Sequence, residues 1–125
     1  MVRIRRFVLW SLALLLGCEV FAGDDEAATA GRLENRIQWS TASEVNNFGY
    51  DVYRGESRTG PFVKLTETPL PGAGTEDTPQ SYDFVDDTIA PDTIYYYYVE
   101  SISMDGVRKR LTPTIPSRPK SRPGP

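Results

Sequence analysis

The chain has 125 residues, of which 39% are hydrophobic and 25% charged, and this length allows one small domain. It contains no His and a single Cys, which excludes His-based proton transfer, Cys–His nucleophiles, His/Cys zinc sites and a disulfide within the chain. The formal net charge is −3, and ten Gly and ten Pro favour short strands joined by tight turns over long helices.

The first 22 residues have the pattern of a signal peptide. Three arginines precede an uncharged apolar run at residues 7–16, which is shorter than the roughly 20 residues that span a bilayer. Two alternatives stay open: cleavage after Ala22, and lipoprotein processing before Cys18, with Cys18 as the lipidated residue. In both cases we expect a bacterial protein that works outside the cytoplasm, in the periplasm, at the cell surface or secreted.

Charge is distributed unevenly over the rest of the chain. Residues 23–34 are predicted to be an acidic flexible linker, since they offer little apolar surface to bury. Residues 23–107 hold five basic and sixteen acidic side chains, whereas residues 108–122 hold six basic side chains and no acidic one. The body is therefore acidic and the end basic. Residues 117–125, which are also Pro-rich, are predicted to form a disordered or extended tail.

Residues 35–116 are predicted to form an all-β domain. Short runs of alternating apolar and polar residues, or of β-branched and aromatic residues, are bounded by turn signals and indicate strands. These runs lie at residues 36–40, 49–54, 62–65, 82–85, 93–102 and 107–115. Residues 69–79 are rich in Pro, Gly and Thr and are predicted to be a loop. No helical pattern of useful length follows the signal.

The strand at residues 93–102 carries aromatic side chains on both of its faces. Successive side chains of a strand point to opposite sides of the sheet, so one set suits a core and the other a wet surface. The inward set is Tyr95, Tyr97 and Val99, and the outward set is Tyr96, Tyr98 and Glu100. This strand is therefore predicted to be central in its sheet.

The order of these elements resembles the fibronectin type III domain, an immunoglobulin-like β-sandwich, in the variant found in exported bacterial proteins. The residues that carry the likeness are Trp39, the run Gly49-Tyr50-x-Val52-Tyr53-Arg54, Gly60-Pro61-Phe62, Tyr82-x-Phe84, and Ile89-x-Pro91-x-Thr93-x-Tyr95-x-Tyr97-x-Val99. The resemblance covers roughly residues 35–116. It implies strand B at 37–41, C at 49–54, C′ at 62–65, E at 81–85, F at 93–103 and G at 108–114.

The resemblance also implies a core and a corner. Trp39 matches the core tryptophan of strand B, and Tyr95 the corner tyrosine whose hydroxyl bonds to backbone a few residues upstream. With the inward residues of the other strands, the predicted core is Trp39, Tyr50, Val52, Tyr82, Phe84, Tyr95, Tyr97 and Val99. We expect Trp39 and Tyr95 to be buried, one on each sheet.

The family's first strand, A, has no good counterpart here, because Leu33 is the one large apolar residue between residues 29 and 33. Two alternatives stay open. Either strand A is missing and strand B presents a bare edge that can pair with another chain, or the linker forms a short irregular strand that covers this edge.

The candidate binding surface is an aromatic patch on the outward side of strands C and F, at Asp51, Tyr53, Tyr96 and Tyr98. Tyr offers a large contact area at low entropic cost and keeps a hydrogen-bonding end. The alternative is that exposed tyrosines only stabilise the sheet through cross-strand pairs.

Other chemistry is disfavoured. The acids around residues 76–87 match no calcium loop, and a small sandwich offers no cleft for a glycosidase's paired carboxylates. We therefore expect no catalytic residue, no metal and no cofactor. A nucleic acid partner is not expected, since the acidic body repels phosphates.

The sequence favours a non-enzymatic extracytoplasmic binding or adhesion module that contacts an envelope protein or a surface polysaccharide. The alternative is a structural accessory subunit of an envelope assembly that uses a free strand-B edge for strand pairing. Contact with a membrane is expected only through a lipid anchor or the basic tail.

Overall fold

The fold is seen in a computed structural model, which describes residues 32–122 and 124. The predicted signal peptide, its cleavage alternatives at Ala22 and Cys18, and residues 23–31 of the predicted linker lie outside the described residues. The strands are β1 (Asn35–Thr41), β2 (Glu44–Gly55), β3 (Phe62–Lys64), β4 (Leu70–Glu76), β5 (Gln80–Asp86), β6 (Tyr96–Ser103), β7 (Arg108–Arg110) and β8 (Ile115–Pro116). In this part of the chain there is no helix, and so none long and apolar enough to cross a membrane.

The strands form two antiparallel sheets that pack face to face. The two-stranded sheet contains β1 and β5, and the six-stranded sheet has the order β3-β2-β6-β7, with β4 also pairing with β2 and β8 with β6. The prediction of an all-β sandwich is confirmed, and the arrangement is compatible with fibronectin type III and immunoglobulin-like folds.

The core lies between the sheets and is built from alternate residues of both. Trp39 of β1 stacks on Tyr82 of β5 at 5.6 Å between ring centroids and meets Tyr50 of β2 edge-on at 5.4 Å. Tyr95 accepts a hydrogen bond of 3.0 Å from the Ala90 N–H, five residues upstream. Of the predicted core, Trp39, Tyr50, Val52, Tyr95, Tyr97 and Val99 are buried, and Tyr82 and Phe84 are half-buried against them.

Two buried carboxylates join the sheets at opposite ends of β5. Asp86 of β5 accepts hydrogen bonds from Tyr97 Oη at 2.6 Å and from Arg54 at 2.9 Å, both on the six-stranded sheet. Glu44 of β2 accepts hydrogen bonds from the Tyr82 hydroxyl and from Asn47. We call these groups the Asp86 clasp and the Glu44 clasp. Each satisfies a carboxylate that burial alone would destabilise.

One segment predicted as a loop, residues 69–79, contains a strand instead. β4 pairs with β2, but with two register shifts that strand statistics do not anticipate. A Cβ at Gly72 would collide with Asn47, so this glycine permits the close approach of the two strands. Gly74 has a φ of +72°, a conformation that favours glycine. The Gly and Pro that indicated a loop belong to an irregular edge strand.

Residues 117–121, in the predicted C-terminal tail, form hydrogen bonds with the body of the domain. The Ser117 N–H donates to the Tyr95 carbonyl at 2.7 Å, and the Asp92 N–H to the Lys120 carbonyl at 2.7 Å. The Lys120 ammonium reaches the Glu34 carbonyl at 2.7 Å. Composition alone predicted a disordered or extended segment here and did not indicate the hydrogen bonds to the backbone that hold this polar segment against the body.

Residues 32–34, the described part of the chain before β1, form no strand. Within the described residues β1 pairs with β5 alone, so its other edge carries no partner strand there. This is the edge along which a strand A would lie.

Candidate functional site

The outward side of the six-stranded sheet brings together the predicted tyrosines. In the antiparallel register Tyr53 of β2 lies opposite Tyr98 of β6 and opposite Lys64 of β3. Gly55 of β2 lies opposite Tyr96 on one side and Phe62 on the other. Cross-strand partners share a face of the sheet, so these side chains form one surface, which we call the aromatic face.

Three rings and a guanidinium stand side by side across this face. The rings of Tyr53 and Tyr98 are stacked, with centroids 4.7 Å apart and planes 6° from parallel. The Phe62 ring meets Tyr98 edge-on at 5.1 Å. Arg110 of β7 lies 3.7 Å from the centroid of Tyr98 and 5.8 Å from that of Phe62. The row therefore crosses from β3 to β7.

Tyr96 lies on the same face, two residues before Tyr98 in β6. The Arg58 guanidinium lies 5.3 Å above its ring and comes from the turn between β2 and β3. All four aromatic side chains are half-buried. Among the described residues, the hydroxyls of Tyr96 and Tyr98 form no hydrogen bond, so both offer a donor and an acceptor to a ligand.

Asp51 has the predicted orientation but not the predicted exposure, since its exposed fraction is 0%. Arg108 of β7 covers it, with hydrogen bonds of 2.8 Å to Asp51 and of 2.8 Å to Glu100. The Thr66 hydroxyl donates to its other oxygen. Asp51 is therefore a buried anchor for Arg108 and is removed from the set of surface residues.

Tyr53 differs from Tyr96 and Tyr98 in that its hydroxyl is hydrogen-bonded. Its hydroxyl donates to Glu100 at 2.9 Å. Burial, followed by this hydrogen bond and the negative charge of Glu100, raises the pKa of Tyr53 to about 12. The phenol therefore stays protonated through the physiological pH range, and its orientation is fixed by the Glu100 carboxylate.

The carboxylates of the Asp86 clasp and the Glu44 clasp both have lowered pKa values. Burial raises the pKa of the Asp86 carboxyl, but hydrogen bonds from Tyr97, Thr88 and Arg54 outweigh this and hold it below its ordinary value. Burial also raises the pKa of the Glu44 carboxyl. Hydrogen bonds, chiefly from Tyr82, outweigh this effect and hold the pKa below its ordinary value. Both carboxylates are ionised in the folded state and are fully used by structural partners.

The aromatic face carries more positive than negative charge. Its two acids, Asp51 and Glu100, both form salt bridges with the same cation, Arg108. In the part of the chain that the structure describes, Arg58, Lys64 and Arg110 form no salt bridge with any carboxylate. These three cations are thus left for a ligand.

Several residues of this face escaped the sequence analysis. Phe62 and Lys64 share a strand with period 2, so their common face could have been predicted from the pairing of β3 with β2. Arg58, Arg108 and Arg110 were recognised only as separate charges. Their contact with the tyrosines depends on the turn geometry and on which residues of β7 face outward, for which the polar sequence carries no pattern.

No group of three or more potential metal ligands occurs within residues 32–122 and 124. What the aromatic face offers is a half-buried apolar row, two phenolic hydroxyls and three cationic side chains. Such a surface can bind through its exposed ring edges, by hydrogen bonding and by charge.

Comparison with known proteins gives one distant similarity. An amylopullulanase of Thermoanaerobacter thermohydrosulfuricus is 34% identical to the chain over 67 residues. The match covers 53% of this chain and 4% of that enzyme, so the chain spans a small fraction of the relative. No family model and no solved structure matches. The similarity is compatible with a non-catalytic binding module.

Proposed function

We propose that the chain is a non-catalytic module, similar to fibronectin type III domains, that works outside the cytoplasm and binds a polysaccharide of the cell envelope. The observation that carries the proposal is the row of Tyr53, Tyr98 and Phe62 on the aromatic face, beside the ring of Tyr96. The face presents ring edges and phenolic hydroxyls together, as a polyhydroxylated partner requires.

The similarity to an amylopullulanase supports a polysaccharide over an envelope protein as the partner, because the name of that relative denotes a carbohydrate-active enzyme. The pairing of the carboxylates on the face supports binding over catalysis. The two carboxylates of the face are bound to Arg108, which leaves neither oriented as a general acid toward a ligand.

Binding to immobilised envelope polysaccharides tests the proposal. The double variant Tyr53→Ser/Tyr98→Ser removes the centre of the row, and we expect it to weaken binding by about 2 kcal/mol, or about thirtyfold in Kd. The matched control is Gln38→Ala/Ser40→Ala on the outward side of β1, which should bind normally. Equal loss in both variants, or no binding by the unaltered protein to any polysaccharide, would contradict the proposal.

A second candidate function rests on the edge of β1, which has no partner strand among the described residues. An extended segment of another protein could add to this edge by backbone hydrogen bonds, as in an envelope assembly. Under this alternative the aromatic face has a stabilising role only.

Proline substitution distinguishes the two candidates. Successive amides of a strand point to opposite edges, so of Ile37 and Gln38 one amide faces β5 and the other the open edge. The substitution Ile37→Pro or Gln38→Pro that leaves the thermal midpoint nearly unchanged is the one on the open edge. If that variant loses a captured partner and Tyr53→Ser/Tyr98→Ser retains it, strand addition replaces polysaccharide binding as the function.

A further inference from the structure

We infer that the polysaccharide bound by the aromatic face is anionic, with carboxylate or sulfate groups along the chain. The inference rests on the proposed function and names the ligand class of the same site. It follows from the position of the unpaired cations, and not from the tyrosines, which would serve a neutral glycan equally well.

The cations of the two outward surfaces differ in whether they pair with carboxylates. On the outward side of the two-stranded sheet Arg36 pairs with Asp83. On the aromatic face Arg108 already holds both acids, and Arg58, Lys64 and Arg110 have no carboxylate partner among the described residues. These three cations give the aromatic face a surplus of positive charge, in a chain with a net charge of −3.

Two of these cations are held in place by the rings beneath them. Arg110 lies 3.7 Å from the Tyr98 centroid and also donates to Thr114 Oγ1 at 3.1 Å, and Arg58 lies 5.3 Å from the Tyr96 centroid. A guanidinium over a ring loses little further freedom on binding and keeps its outer N–H groups for a bidentate acid. Preorganisation of this kind favours affinity.

The distance over which the cations are spread also fits a polymer that carries repeated acidic groups. They lie on β3, on the turn after β2 and on β7, and three strand spacings separate β3 from β7, which is about 14 Å. Charges spread over such a distance fit repeated acidic groups on a chain better than a single small anion. The acidic body around this face repels such a polymer, so electrostatics favours contact with the three cations.

The experiment compares polymers of matched length by affinity electrophoresis of the purified protein. The probes are neutral pullulan, polygalacturonate and dextran sulfate, each in 50 mM and 500 mM NaCl. We expect at least tenfold tighter binding to one or both of the anionic polymers than to pullulan at the lower salt, and loss of that preference at the higher salt. The polygalacturonate and dextran sulfate arms distinguish carboxylate from sulfate recognition.

The variant Arg58→Gln/Arg110→Gln should weaken binding to the preferred anionic polymer at least tenfold and flatten its salt dependence. The control Arg118→Gln/Arg122→Gln makes the same change in net charge on the tail and should change binding less than twofold. Equal effects of the two pairs would show a response to net charge alone and would overturn the inference.

Binding to pullulan that equals or exceeds binding to both anionic polymers would overturn the inference and leave the proposed function standing. Absence of binding to all three polymers, with a folded protein by circular dichroism, would remove both. A polyglutamate arm separates the other class of anionic partner: tighter binding to polyglutamate than to the polysaccharides would assign the face to an acidic protein and overturn the inference.

Discussion

The outward surfaces of the two sheets are built on the same alternating pattern and differ in almost every other respect. On the two-stranded sheet the outward residues are small or polar: Arg36, Gln38, Ser40, Ser81, Asp83 and Val85. On the six-stranded sheet they are tyrosines, a phenylalanine and arginines. Both sheets nevertheless bury their inward residues against the same core.

The difference between the two outward surfaces shows which outward side chains the pairing of strands requires. Strands β1 and β5 pair over seven residues with no outward aromatic side chain, so strand pairing in this domain does not depend on one. A cross-strand aromatic pair contributes roughly 0.2–1 kcal/mol. The aromatic row is therefore larger than the stability of the sheet demands, which is why we propose a binding role for it.

The largest effect is expected from the core that both surfaces share. Trp39→Ala removes the ring that contacts Tyr82 and Tyr50 and should lower the free energy of unfolding by about 3–5 kcal/mol. Since a small domain has about 5–10 kcal/mol in total, the variant should be partly or largely unfolded at 37 °C. Urea unfolding followed by circular dichroism measures this.

Gln38→Ala is the matched control, because Gln38 is adjacent in β1 and exposed on the opposite side. Its free energy of unfolding should change by less than about 0.5 kcal/mol. A urea midpoint of Trp39→Ala close to that of Gln38→Ala would show that the two sides of β1 do not differ as described.

The next effect comes from the Asp86 clasp, which joins the two sheets. Asp86→Asn leaves Arg54 without its carboxylate and should cost about 2–3 kcal/mol at pH 7. The pKa of Asp86 is lowered in the folded protein, so its contribution is present above the unfolded pKa and is lost as the pH falls. The free energy of unfolding of the unaltered protein should therefore decrease below about pH 4.5.

The sharper measurement is the difference between the two proteins. The cost of Asp86→Asn should shrink between pH 7 and pH 3, because the unfolded state of the unaltered protein takes up a proton at Asp86 that the folded carboxylate resists. Asp83→Asn, in the exposed pair with Arg36, should change the free energy of unfolding by less than about 1 kcal/mol at either pH. If Asp86→Asn lowers the free energy of unfolding by the same amount at pH 7 and pH 3, Asp86 is not ionised in the folded protein.

The alternation of side chains made much of this architecture predictable from sequence. Tyr97 and Val99 are buried and Tyr96 and Tyr98 face outward because a strand has period 2, and this needs no knowledge of partners. Asp51 shows the limit of the argument. Parity gives its side of the sheet, but its burial depends on Arg108, which is 57 residues away in the chain and in a segment with no apolar pattern.

The irregular segments were the least predictable. β4 has bulges and glycines whose role appears only beside Asn47, and the tail is ordered by backbone hydrogen bonds that composition does not reveal. Both features depend on contacts between segments distant in sequence, which a local pattern cannot contain.

The smallest effect on stability is expected at the aromatic face itself, and it decides between the two interpretations of the tyrosines. Tyr53→Ser and Tyr98→Ser each remove a stacked pair at the outward surface and should lower the free energy of unfolding by roughly 0.2–1 kcal/mol. Tyr53→Ser also removes the hydrogen bond to Glu100, and Tyr98→Ser also removes the contacts with Phe62 and Arg110, whereas Tyr53→Phe removes the hydrogen bond alone. Urea unfolding at pH 7 measures all three. A loss of 3 kcal/mol or more for Tyr98→Ser, comparable to that of Trp39→Ala, would make the row part of the stabilising structure and remove the distinction between the two surfaces.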